Sequence, residues 1–182
     1  MKMDRDFYVI KGDGGTGYAK NSSMQRRAIG LTVPMVVKAI KELMAMDSPP
    51  QTMVIADLGC SSSENTRLLV SAAISGICEN TTNTMEVQFF LNDLPGNDFN
   101  QIFRSLEQFE RVTAQNCARR GLQPPPHYIA GLPGSFYNRL FPSNSVHLFH
   151  SSFSLMWLSQ VPKHIDGNMN RGNIHIGENT AS

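Results

Sequence analysis

The stretch that most constrains this chain runs from Thr52 to Arg67, TMVIADLGCSSSENTR. A short apolar run, Met53 to Ala56, meets Asp57 and then breaks at Leu58-Gly59-Cys60 into three serines. Continuous apolar residues bounded by a turn signal describe a buried parallel strand that ends in a tight turn. Gly59 permits a sharp turn and close approach by a ligand, while Ser61 to Ser63, Glu64 and Asn65 offer cap chemistry for a helix from about Thr66. Strand, glycine turn and helix N-terminus in succession are the parts of a nucleotide or nucleoside site. The same pattern also occurs in purely structural turns.

The ligand chemistry can be narrowed from the loop itself. Pyrophosphate loops carry GxGxxG or a GK[ST] ending, and neither is present. One glycine, small hydroxyls and an acidic residue at the strand end suit a ligand bearing amino and hydroxyl groups in place of phosphate. S-adenosylmethionine is the cofactor that fits.

Composition sets the outer limits. The 182 residues are 41% hydrophobic and 17% charged, as expected of one globular α/β domain. Sixteen Lys and Arg against fifteen Asp and Glu give a formal charge of +1, so there is no electrostatic case for nucleic acid or an anionic membrane as the main partner. The start, MKMDRDFYVIKGDGG, lacks a signal-peptide core, and no run reaches membrane-spanning length, which leads to the expectation of a cytoplasmic protein. Cys60, Cys78 and Cys117 are odd in number and contain no CxxC, so free thiols are expected. Ten methionines suit an adaptable core or a compliant apolar pocket.

Taken in order, residues 11–25 open on a glycine-rich loop and lead into a helical pattern through Leu31, Val36, Ala39, Ile40 and Leu43, with Asn21 or Ser22 as caps. The loop reads as a lid with Tyr18 and Gln25 facing a pocket, or as a disordered arm. Pro34 is expected to kink or restart the helix. A second helix follows the turn, from Thr66 to Cys78. Glu86 to Asn92 is the second strand, ending in Asp93-Leu94-Pro95-Gly96. An acidic residue at that position holds ribose hydroxyls in a Rossmann-type site, because a carboxylate accepts two hydroxyl hydrogen bonds at once; alternatively Asp93 caps the next turn. A third helix is read over Asn97 to Cys117, a short strand over His127 to Ala130 and a fourth strand over Ser145 to Ser151. In a Rossmann-type sheet these strands would lie in the order third, second, first, fourth. In the loop GLPGSFYNRLFP, Ser135 and Phe136 make a pocket wall, with Phe136 placed to stack on an adenine. The apolar cluster Leu155-Met156-Trp157-Leu158 follows the fourth strand, where α/β ligands sit.

The stretches KGDGGTGYAKNSSMQ, IADLGCSSSENT, FLNDLPGNDFN, GLPGSFYNRLFP, HSSFSLMWLSQVP and NRGNI, in that order and spacing, resemble successive signatures of the plant SABATH methyltransferases. The likeness covers nearly all of Lys11 to Ile174. It implies an α/β Rossmann-like S-adenosylmethionine-dependent fold with a helical cap, usually dimeric. Members methylate carboxylates of small acids such as salicylate, benzoate, jasmonate and indole acetate, and some methylate xanthine nitrogens. Residues 1–50 would form a lid loop and helix, and 51–182 a partial Rossmann-like domain, as one structural unit.

Carried over by motif, the resemblance implies cofactor positions at Tyr18, Cys60, Asn65, Asp93, Leu94, Ser135 and Phe136, with Asp57 and Ser22 shaping the site. It places the acid's carboxylate against Gln25 and Trp157, beside Met156 and His150, and matches Asn170 to one magnesium ligand whose partners would lie downstream. No residue is implied as a general acid or base.

Departures are also visible. Ser63-Glu64 stands where the family has Gly-Pro, and Tyr18 follows Gly17 where the family has serine. The family's chain is about twice as long, so the fold is expected to be truncated before the last strands and the cap. Three functions therefore stand side by side. One is carboxyl methylation of a small acid. Another is a non-catalytic paralogue that binds the cofactor weakly or pairs with a full-length relative. The last is N-methylation of a purine alkaloid.

Overall fold

The computed structural model describes residues 22–61, 65–79 and 85–156, without the side chains of 107–108. Four parallel strands form one sheet: β1 (Thr52–Leu58), β2 (Glu86–Asp93), β3 (His127–Pro133) and β4 (Leu148–His150). Their order is β3-β2-β1-β4, as the sequence predicts. Three helices accompany them: α1 (Ser23–Met44), α2 (Asn65–Cys78) and α3 (Phe99–Arg119).

Strand alternation divides the sheet into two unlike faces. Met53 and Ile55 of β1 and Val87, Phe89 and Leu91 of β2 are almost wholly buried and pack with Val70, Ile74 and Ile77 of α2 and Ile102, Leu106 and Phe109 of α3. Helix α1 lies on α2, with Ile40 fully buried between them and the core. The opposite face carries Phe90 and Phe149, and its cover is the 134–147 segment. Phe141 from that segment meets both rings edge-on, at centroid distances of 5.5 and 5.7 Å.

Of two expectations about α1, one is corrected and the other is met in position. Pro34 does not restart the helix, which is one continuous element of 22 residues. Proline denies a hydrogen bond to the carbonyl four residues back, but Gly30 and Pro34 both lie on the exposed side, where water can satisfy that carbonyl. Ser22 occupies the N-cap position without a side-chain capping bond. Its carbonyl accepts the Arg26 amide at 2.8 Å. Asn21 lies outside the described residues.

The fourth strand is shorter than the alternation of Ser145 to Ser151 suggests. Before it, the Val54 amide donates to His147 Nδ1 at 2.9 Å, so a side chain stands where a ladder partner would be. After it, Ser151 and Ser154 donate their hydroxyls to the Leu58 carbonyl at 3.0 and 2.8 Å. Side chains thus satisfy β1 at both ends of the pairing, and only three residues need to form a ladder. The third strand runs the other way, past Ala130 to Pro133, because Asn92 on β2 clamps the Leu132 and Gly134 carbonyls through its amide at 2.8 and 2.9 Å.

Candidate functional site

The carboxyl ends of β1, β2 and β4 converge on the turn at 59–61. Gly59 has φ 78° and Ser61 φ 57°, both left-handed. A side chain at Gly59 would run into Ser154, with Phe136 also close by, so the glycine is required for space as well as for conformation. The turn's own donors are spoken for. The Gly59 and Cys60 amides both donate to the Asn92 carbonyl, at 2.9 and 2.8 Å. The Ser61 amide donates to Asp93 Oδ2 at 2.6 Å. Asn97 Nδ2 donates to the Ser61 carbonyl at 3.1 Å and fixes the turn from the other side. A phosphate cradle needs several such amides pointing outward, and at these three positions they point inward, in agreement with the sequence argument against a pyrophosphate loop.

Asp93 ends β2, with Oδ2 held by Ser61 and Oδ1 by the Leu94 amide at 2.7 Å. Each oxygen keeps a second lone pair, so two hydroxyls can still be received. Burial pushes the carboxyl above its ordinary value of 3.8; the Leu94 and Ser61 amides oppose that, and the Asp57 charge adds to it.

Asp57 ends the apolar part of β1 and is 5% exposed. His150 Nδ1 bonds its Oδ1 at 2.7 Å across paired β4. Thr66 Oγ1 lies 3.4 Å from its Oδ2 and donates to the Cys60 carbonyl at 2.8 Å. With an ionised Asp57, the His150 proton sits on Nδ1, and a neutral ring leaves Nε2 an acceptor. The Cys60 thiol is pushed far up, first by burial and then by the Asp57 and Asp93 charges. It keeps its proton at neutral pH and is no nucleophile.

Of the predicted positions, Asp57, Cys60, Asp93, Leu94, Phe136 and His150 gather at these strand ends. Asn65 is the buried first residue of α2, and Ser135 begins the turn beside Phe136, its carbonyl accepting the Asn138 amide at 3.0 Å. Ser22 is buried at the start of α1. Gln25 lies in the first turn of α1 with a buried Oε1 that has no hydrogen-bond partner among the described residues. Met156 is 66% exposed. Tyr18, Trp157 and Asn170 lie outside the described residues, which contain no cluster of three or more His, Cys, Asp or Glu able to hold a metal ion. Sequence reasoning did not single out Thr66, Asn92, Asn97 and Ser154. Only Asn97, just after Pro95-Gly96, carries a local signal, that of a turn residue.

The family model described as SAM dependent carboxyl methyltransferase matches residues 4–182. This chain belongs to that family. Within it, the SABATH relatives include Anthranilate O-methyltransferase 2 of Zea mays, 46% identical over 90% of this chain and 46% of the relative. Salicylate carboxymethyltransferase of Clarkia breweri is 46% identical over 97% of this chain and 47% of the relative. A solved structure of loganic acid methyltransferase with SAH superposes with a TM-score of 0.70 at 34% identity, covering 88% of this chain and 44% of that one. This methyltransferase-family chain therefore spans about half the length of the relatives it matches. The parallel sheet and flanking helices are those of a Rossmann-like methyltransferase core. No helix among the described residues is long and apolar enough to cross a membrane.

Proposed function

We propose that this chain binds S-adenosylmethionine and belongs to machinery that methylates the carboxylate of a small acid. The observation that carries the reading is the turn with inward amides beside a buried Asp93 that retains acceptor capacity. It suits an adenosine whose ribose donates hydroxyls and whose 5′ substituent is not a phosphate. Asp93 would hold the ribose, Phe136 and Leu94 would flank the adenine, and Cys60, Asn65, Ser135 and Tyr18 would surround the remainder. Asp57 and Ser22 would shape the site from behind.

When bound, the cofactor supplies a sulfonium methyl, which the acid's oxygen takes to give a methyl ester and S-adenosylhomocysteine. The acid is ionised at neutral pH, so no protein base is needed. What the chain must do is orient the oxygen, and the neutral donors Gln25 and Trp157 suit that task because they hold a carboxylate without pairing its charge away. Met156 would give apolar contact. His150, its Nδ1 committed to Asp57, would lie beside the carboxylate. Aromatic acids such as anthranilate, benzoate and salicylate are the proposed substrate class, by similarity. A magnesium role for Asn170 belongs to the same proposal and enters no step of it.

The exposure of Met156 and Phe149, 66% and 55%, favours a second reading. The 182-residue chain alone would bind the cofactor while the acid side stays open, and catalysis would need pairing with a full-length relative or a second copy. Calorimetric titration with S-adenosylhomocysteine tests cofactor binding, and methyl transfer to the three acids tests catalysis. Binding without transfer selects the second reading, and absence of both overturns the proposal.

A further inference from the structure

Away from the strand ends, two cysteines meet. Cys78 closes α2 and Cys117 lies near the end of α3, and their sulfurs are 3.6 Å apart. They are 7% and 5% exposed, and Cys78 Sγ also contacts the Gln123 carbonyl at 3.4 Å. Charged residues beside each thiol hold the two helix ends together. Glu79, next to Cys78, takes Arg120 Nη2 at 2.6 Å and Lys41 Nζ at 3.3 Å. The α3 end is fastened by the Arg120 and Leu122 amides, which both donate to the Cys117 carbonyl. The thiols are therefore presented to each other by ordered helix ends, just before the start of β3 and at the opposite end of the sheet from Asp93.

We propose that Cys78 and Cys117 form an oxidisable dithiol, converted by a peroxide into a disulfide that ties α2 to α3. In the first step one sulfur loses its proton, attacks the peroxide and becomes a sulfenic acid with release of water. In the second, the other sulfur displaces the hydroxyl, which leaves as water with the second thiol proton. Two thiols and one hydrogen peroxide thus give one disulfide and two waters. Forming a bond of about 2.05 Å from sulfurs in contact requires an approach of about 1.5 Å, within the range of side-chain rotation. Burial and the hydrogen bond to Cys117 push the Cys78 thiol up to about 12, so the reaction is slow. Cys60, the remaining thiol, sits in the 59–61 turn and has no such neighbour. The bond would close a long loop containing β2 and most of α3, and the unfolded chain would lose entropy accordingly.

The test uses the intact chain treated with hydrogen peroxide and followed by intact mass, by thiol count under denaturing conditions and by peptide mapping. The expected result is a mass loss of about 2 Da, a fall from three free thiols to one, and a Cys78–Cys117 peptide pair that dithiothreitol reverses. Melting should rise by roughly 5 to 10 °C. C60S should still form the Cys78–Cys117 pair, while C78S or C117S should abolish it. Oxygen addition to single thiols, cross-links between chains, pairing through Cys60 or an unchanged thiol count would each overturn the proposal. The mass readout on the native chain is independent of how well any variant folds.

Discussion

The two faces of the sheet were built to different degrees. On the helix side, Met53, Ile55, Val87, Phe89 and Leu91 are at most 1% exposed. On the other side, Tyr128 and Phe149 are 53% and 55% exposed, and the cover at Phe149 is a loop that leaves a cavity of about 240 Å³ beside Phe136, Phe141 and Phe149. Parallel sheets are ordinarily covered on both faces. The contrast teaches that, among the described residues, burial is concentrated on the helix side of the sheet, and the strand ends that carry Asp57 and Asp93 rest on that packed layer.

The comparison can be broken most forcefully from the packed side. Phe89→Ala, at a fully buried position, should cost about 3 to 5 kcal/mol in urea unfolding. A loss below about 1 kcal/mol would show that the helix-side core is no better packed than the open face.

At the junction of β1 and β4, His150→Ala should destabilise the chain by about 1.5 to 3 kcal/mol, since the buried Asp57 carboxylate loses its 2.7 Å partner. If His150→Ala and the double variant with Asp57→Asn are equally unstable, the pair is not what fastens β4.

Asp93→Ala should weaken S-adenosylhomocysteine binding by about 1 to 3 kcal/mol, with unchanged affinity removing Asp93 from the site. Its pH dependence has a definite sign. Because burial raises the folded value above 3.8, the contribution to stability is full below 3.8 and is lost as pH rises through the folded value. The ionised form is therefore the strained one. Hydroxyl donors need that ionised form, so affinity should fall as pH drops through the raised value. A flat profile in Asp93→Asn and a sloping one in the native chain would confirm the source.

The smallest effect is expected on the open face. Phe149→Ser should change stability by less than about 1 kcal/mol while reducing self-association seen in sedimentation, because it removes exposed apolar surface beside an edge strand. A large loss of stability would mean that the Phe90-Phe141-Phe149 contacts already make a second core.

Much of this was legible because it is written in local pattern. The three helices and the placement of Asp93 after β2 follow from apolar runs, helical spacing and turn residues, whereas the strand order came with the Rossmann-like fold that the motifs resemble. The departures at β3 and β4 have their origin in tertiary hydrogen bonds. The short β4 depends on His147 and Ser154 reaching β1, more than ninety residues away in sequence. Asp57 and His150 meet only through strand pairing. Pro34 stays within α1 because its face of the helix is exposed, which periodicity near a proline does not reveal.

The inward-facing amides of the 59–61 turn also bear on competition. Inside a cell, ATP is an abundant molecule with the same adenosine head as the proposed cofactor. At Gly59, Cys60 and Ser61, the described positions of the loop, the donors are given to Asn92 and Asp93 and are not offered to a triphosphate, and two nearby carboxylates repel it. Part of the discrimination against so common a bystander would thus be inherent in the way one turn is stitched to its neighbouring strand.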